Sequence, residues 1–139
     1  MSLSDRHALA ADFVFDGETL REDHAIVIDG AAIAAVVPRR ELPAAMAVRH
    51  MRPGAWLAPG FIDVQVNGGG DILFNDEPTP EGIAAIAAAH RKFGTTALLP
   101  TLISDTPDKM QAALAAAQRV VGVHPGILGI HLEGPFLSP

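Results

Sequence analysis

Cysteine is absent from this 139-residue chain, and that absence removes two kinds of chemistry. No disulfide can form and no thiolate can hold a metal, which suits a reducing compartment without requiring one. Basic residues are scarce: ten Lys and Arg stand against sixteen Asp and Glu, for a formal net charge of -6. A protein that tracks a phosphate backbone needs a basic face, so nucleic acid is excluded as a partner. No apolar run reaches the ~20 residues of a membrane span. The first residues, Met1-Ser2-Leu3-Ser4-Asp5, lack a charged-then-apolar signal pattern. The expectation is a cytoplasmic protein without membrane or nucleic-acid contacts. Hydrophobic residues make up 49% and charged residues 19%, enough apolar material for a core in a chain of one ordinary domain's length.

Two textures divide the chain, which is read as residues 1–57 and 58–139. Up to Trp56 it is short strands and turns. Phe13-Val14-Phe15 runs into Asp16-Gly17, and His24 to Ile28 runs into Asp29-Gly30, a hairpin signal because glycine tolerates positive φ. Ile33 to Val37 is a third strand, stopped by Pro38; residues 39–49 read equally as loop or short helix. From Ala58 the pattern becomes strand, helix, strand, helix, strand. Phe61 to Asn67 alternates, with Ile62, Val64 and Val66 on one side and Asp63, Gln65 and Asn67 on the other. Thr79-Pro80-Glu81 opens a helix whose stripe is Ile83, Ile86, His90 and Phe93, ended by Gly94. Thr95 to Leu102 is the next strand. Thr106-Pro107-Asp108 opens a second helix, striped by Met110, Leu114, Ala117 and Val121 and ended by Gly122. Ile127 to Glu133 is the last strand. Right-handed crossovers of this length make the three strands parallel and buried on both faces. An open sheet and a (β/α)8 barrel look alike this far along; polar residues gathered at C-terminal strand ends favour the barrel, whose chemistry sits on that rim.

Four side chains carry the chemical question. Glu133 ends the third strand, on one face with Ile127, Gly129 and His131, while Leu128, Ile130 and Leu132 face the covering helices. An unpaired buried carboxylate is costly, so Glu133 needs a divalent metal such as Zn or Fe, backbone amides, or an Arg. His131 is either a second ligand or, the favoured reading, a histidine hydrogen-bonded to a neighbour. Gln65 and Asn67 are neutral amides, poor ligands for Zn but able to hold a water or a sugar hydroxyl; alternatively they satisfy strand-end backbone. Gly68-Gly69-Gly70-Asp71 lacks the lysine and spacing of a phosphate loop and reads as a tight turn. Thr101 reads as an ordinary strand residue, and His90 as a half-buried packing residue.

Taken together, LAPGFIDVQVNGGG (57–70), GTTALLPTLIS (94–104) and ILGIHLEGPFLSP (127–139) resemble the N-acetylglucosamine-6-phosphate deacetylases of the amidohydrolase superfamily. The region before Trp56 resembles that family's N-terminal β-sandwich portion. The resemblance implies an α/β chain: part of a small β-sandwich-type domain, then the first three strands of a TIM-like (β/α)8 barrel. It implies removal of acetate from N-acetylglucosamine 6-phosphate to give glucosamine 6-phosphate, with a divalent metal as cofactor. Glu133 matches the family's metal-binding glutamate. Gln65 and Asn67 stand where two-metal relatives keep histidines, so one tightly held metal is implied. Gln65 is then a candidate for positioning the attacking water, and Asn67 for binding substrate. The full-length enzyme is expected to be a homodimer.

The resemblance also implies what these residues do not contain. Two histidine ligands, the catalytic aspartate and the phosphate-binding residues come from later in the family's barrel. A complete barrel needs ~250 residues, so the chain is expected to be a front section of a longer enzyme, inactive alone. Two other readings stay open: a non-catalytic assembly module that covers its open edge with a second copy, and an amidohydrolase acting on cyclic amides.

Overall fold

The computed structural model describes residues 6–135. The polar stretch 1–5 and the last four residues of the HLEGPFLSP motif lie outside the described residues. The chain divides into two units, residues 1–59 and 60–139.

The first unit is one mixed sheet. Strands β1 (Arg6–Phe15), β2 (Leu20–Asp29), β3 (Ala32–Pro38), β4 (Ala47–His50) and β5 (Trp56–Leu57) follow in chain order. They assemble as β3-β2-β1-β4, with β5 also on β1. β1, β2 and β3 pair antiparallel, whereas β4 and β5 run parallel to β1. β1 begins seven residues before the apolar Phe13-Val14-Phe15 that marks it in sequence, because its earlier part is built from alanines. Those alanines are the core: Ala8, Ala10, Ala25 and Val27 are buried, and Leu42, Met46 and Val48 pack on them. Residues 39–49, read as loop or short helix, hold a short 3-10 helix over Arg39–Glu41 and a loop; the departure is strand β4, which begins at Ala47. The expected sandwich appears among the described residues as this single sheet.

The second unit is a parallel β-α-β-α-β chain. β6 (Phe61–Val66) leads into a two-strand hairpin, β7 (Gly68–Gly69) and β8 (Ile72–Leu73). Its turn residues Gly70 and Asp71 have φ of 64° and 65°, the left-handed pair that a two-residue hairpin loop requires. Helix α1 (Pro80–Arg91), strand β9 (Thr95–Ile103), helix α2 (Pro107–Val120) and strand β10 (His131–Glu133) follow. The three long-connected strands lie in the order β10-β9-β6, all parallel. Both helices start as the sequence predicts: Thr79 Oγ1 accepts from Gly82 N at 3.0 Å, Thr106 Oγ1 from Lys109 N at 3.5 Å, and a proline follows each cap. Phe74, Ile83, Ile86, Leu98 and Leu102 fill the core between helices and sheet.

Three sequence expectations are corrected here. α2 buries Ala113, Ala116, Ala117 and Val120, while Leu114 and Val121 are exposed. The buried stripe of α2 is thus built from small residues, and the helix packs along α1. Phe93 is exposed, because α1 ends at Arg91 and the chain turns at Gly94, φ +95°. The third strand forms a continuous ladder only over His131–Glu133; Ile127 makes an isolated bridge to Leu98, and Leu128 is exposed. The gap sits beside Pro100, which has no N–H to give to a ladder.

Candidate active site

β6 carries the largest departure from its sequence pattern. Strict alternation puts Ile62, Val64 and Val66 together under the helices. Only Val66 is there, 3% exposed; Ile62 and Val64 are 63% and 60% exposed. The register explains it. Asp63 partners Leu98 and Val66 partners Pro100, so three steps on β6 match two on β9. This is a bulge of one extra residue, and side chains beyond it change face. Val66 therefore joins the helix face, and Gln65 and Asn67 lie on the opposite face.

That opposite face is also Glu133's. Glu133 is the register partner of Ile103, and His131 of Thr101. Gln65 Nε2 approaches Glu133 Oε1 at 3.5 Å, and Asn67 Nδ2 approaches Glu133 Oε2 at 3.4 Å. Each carboxylate oxygen thus has one amide donor beside it, at the long limit of a hydrogen bond. Gln65, Asn67 and Glu133 are brought together. His131 is not turned to the carboxylate. Its Nδ1 lies 3.0 Å from the Val64 carbonyl; a carbonyl only accepts, so Nδ1 carries the proton. This is the hydrogen-bonded role favoured for His131 on its position alone.

Glu133 is held at its backbone as well. Ser104 Oγ donates to the Glu133 carbonyl at 2.7 Å. The next residue, Gly134, has φ +116°, and a Cβ there would collide with that hydroxyl, so glycine after the acid is a requirement of the close approach. The end of β9 is clasped by Asn75, a buried side chain that sequence reading passed over. Its Oδ1 accepts from Ile103 N at 3.0 Å, and its Nδ2 donates to Ile103 O and Asp105 Oδ2, both at 2.9 Å. A side-chain amide thereby pairs with one backbone residue as a neighbouring strand would. The Asn75 bond, then the Thr106 backbone amide and Lys109, hold the Asp105 carboxyl below its ordinary range. Its position after a glycine hairpin gives no sequence signal for this contact. His90 ties the loop before it, with Nε2 3.0 Å from the Gly68 carbonyl.

Among the described residues no three His, Asp or Glu side chains come together as a metal cage. The face does fit one contribution to such a cage: a half-buried carboxylate with no ion pair among the described residues, oriented by two neutral amides.

Comparison with known proteins gives a consistent picture. Residues 7–57 match the family described as the NagA composite domain. An N-acetylglucosamine-6-phosphate deacetylase of Haemophilus influenzae is 32% identical over 134 residues, 96% of this chain and 35% of that one. An N-acetylgalactosamine-6-phosphate deacetylase of Shewanella sp. is 54% identical over 83 residues, 59% of this chain and 21% of that one. Among solved structures, an N-acetylglucosamine-6-phosphate deacetylase from Pasteurella multocida superposes with TM-score 0.89 at 29% identity, covering 96% of this chain and 35% of that one. A mutant of the Mycobacterium smegmatis enzyme in complex with N-acetyl-D-glucosamine-6-phosphate superposes with TM-score 0.83 at 32% identity, covering 96% and 34%. The chain spans about a third of the length of the relatives it matches along most of its own length.

Proposed function

We propose, from the premise that this chain is similar over nearly its whole length to the N-terminal third of N-acetylglucosamine-6-phosphate deacetylases, that it forms the front section of a metal-dependent sugar-phosphate deacetylase. In this reading residues 1–57 belong to the small β-domain and residues 58–139 begin the (β/α)8 barrel. The protein is cytoplasmic and works as a homodimer. The observation that carries the reading is the convergence of Gln65 and Asn67 on the Glu133 carboxylate.

Glu133 would be one ligand of a divalent cation, Zn or Fe, in the intact protein. When bound, such a cation would supply Lewis-acid polarisation of the acetamido carbonyl and acidify the attacking water. Gln65 holds the attacking water through its amide, and Asn67 faces the sugar. Water adds to the carbonyl carbon, the C–N bond breaks, and acetate leaves the amino sugar phosphate. The proton for the departing amine comes from a carboxylate other than Glu133, which is committed to the cation.

The intact parent protein should release acetate from N-acetylglucosamine 6-phosphate, lose that activity on chelation and regain it with Zn or Fe. A purified 139-residue section should do neither. Absence of turnover by the metal-loaded parent would reject the reading. A second substrate has a specific observation behind it: the 54% identity to the Shewanella enzyme, whose substrate is the galactosamine epimer. Comparing kcat/KM for the two epimers decides between them.

A further inference from the structure

The bulge in β6 has more bracing than a ladder irregularity needs. Its backbone is met by side chains from three strands. Gln65 N donates to Asp63 Oδ1 at 3.1 Å, within β6. The Val64 carbonyl accepts from His131 Nδ1 on β10 at 3.0 Å. Val66 N donates to Thr101 Oγ1 on β9 at 2.9 Å, and that hydroxyl donates onward to the Leu99 carbonyl at 3.2 Å. Thr101 is fully buried, and with Asn75 it is one of two buried polar residues in the described chain. A buried hydroxyl needs its partners, and here both are backbone groups at the place where β6 and β9 fall out of step.

The geometry points to Thr101 as the positioning residue of the site: by bridging Val66 and Leu99 it locks the β6 bulge, which puts Gln65 and Asn67 on the face of Glu133. Without the extra residue, the register set by Asp63 and Leu98 would continue with Gln65 opposite Pro100. Gln65 and Asn67 would then turn toward the helices, with Val64 and Val66 in their place. The hydroxyl touches neither the carboxylate nor its two amides, so it acts through them. His131 braces the same bulge from the other side and shares this role. The inference rests on the deacetylase reading for its activity assay, but not for its geometry.

The test compares Thr101→Val, Thr101→Ala and Thr101→Ser in the intact parent protein. Valine keeps the shape and loses the hydroxyl; alanine loses both without crowding Val66; serine keeps the hydroxyl. Crystal structures of the first two should show the Gln65 and Asn67 amides withdrawn from Glu133, with the serine variant like the wild type. If either hydroxyl-free variant keeps both amide contacts, the inference is wrong, whatever the protein catalyses. In turnover, the hydroxyl-free variants should lose about tenfold to a hundredfold in kcat, the usual cost of removing a supporting group, and serine should restore it. In a Gln65→Ala, Asn67→Ala background the same Thr101 changes should cost less than about twofold, because there is nothing left to aim. Full additivity there would assign Thr101 to stability alone and overturn the inference. A wild-type parent with no turnover of either epimer rejects the deacetylase reading, and the crystallographic arm still decides this one.

Discussion

The two units satisfy their backbones in different ways. In the first, strands joined mostly by hairpins and short links satisfy one another, and the core between them is small: Ala8, Ala10 and Ala25 let the covering segment approach. In the second, the ladder breaks repeatedly, and side chains fill the gaps. Thr101 serves Val66, His131 serves Val64, Ser104 serves Glu133 and Asn75 serves Ile103. Its core adds large side chains, Phe74 and Ile83 among them, to the alanines of α2. The candidate site lies among these repairs. A regular sheet offers its backbone groups to itself; an irregular one needs polar side chains, and those can also fix the aim of their neighbours.

The sharpest way to break this contrast is through packing. Phe74→Ala should destabilise the second unit by about 3–5 kcal/mol, the cost of emptying a large core position. Ala8→Val in the first should cost only about 1–3 kcal/mol, by crowding rather than by cavity. Chemical denaturation followed unit by unit reads both, and the reverse order would contradict the difference in grain. Next comes function: Glu133→Gln should lower turnover by the intact protein at least about a hundredfold, the upper end for losing a supporting group. The same change at exposed Glu22 in the first sheet should leave turnover untouched.

Smaller effects sharpen the contrast between local and long-range bonding. Asn75→Ala should cost about 1–3 kcal/mol, since it leaves the part-buried Ile103 backbone pair without its partner. It should also return the Asp105 carboxyl toward its ordinary range, which an NMR titration would show. Among the described residues, the Asp16 carboxylate in the first unit is bonded within its own hairpin: the Thr19 amide first, then Arg21 and the Glu18 amide, which hold its pKa at about 2. Because that value is below the ordinary 3.8, its contribution is complete above that ordinary pKa and disappears as pH falls through the folded value. The stability gap between wild type and Asp16→Asn should therefore close on acidification from pH ~5 to ~2. A gap that widens would refute the assignment.

Much of the second unit was legible in its residues. Threonine before proline marked both helix starts, and polar residues at strand ends marked the face of the site. The stripe of α2 departs from its pattern where alanines are buried and the larger Leu114 and Val121 are exposed. β1 was seen only in part and β4 not at all, because alanine and isolated valines carry little strand signal. Asn75 and Thr101 look like any loop amide and strand threonine until their partners, 28 and 35 residues away, come within reach.

By itself, then, the sequence determined the strand-helix order of the second unit, the caps that start its helices, and the residue types at the strand ends, since these depend on near neighbours and on side-chain chemistry. The alternation placed Gln65 and Asn67 on the face of Glu133, and they are there; how the backbone brings them to it was decided only in three dimensions. A single extra residue in β6 reverses the alternation, and nothing local reports it: the bulge exists because β9 and β10 supply the groups that hold it.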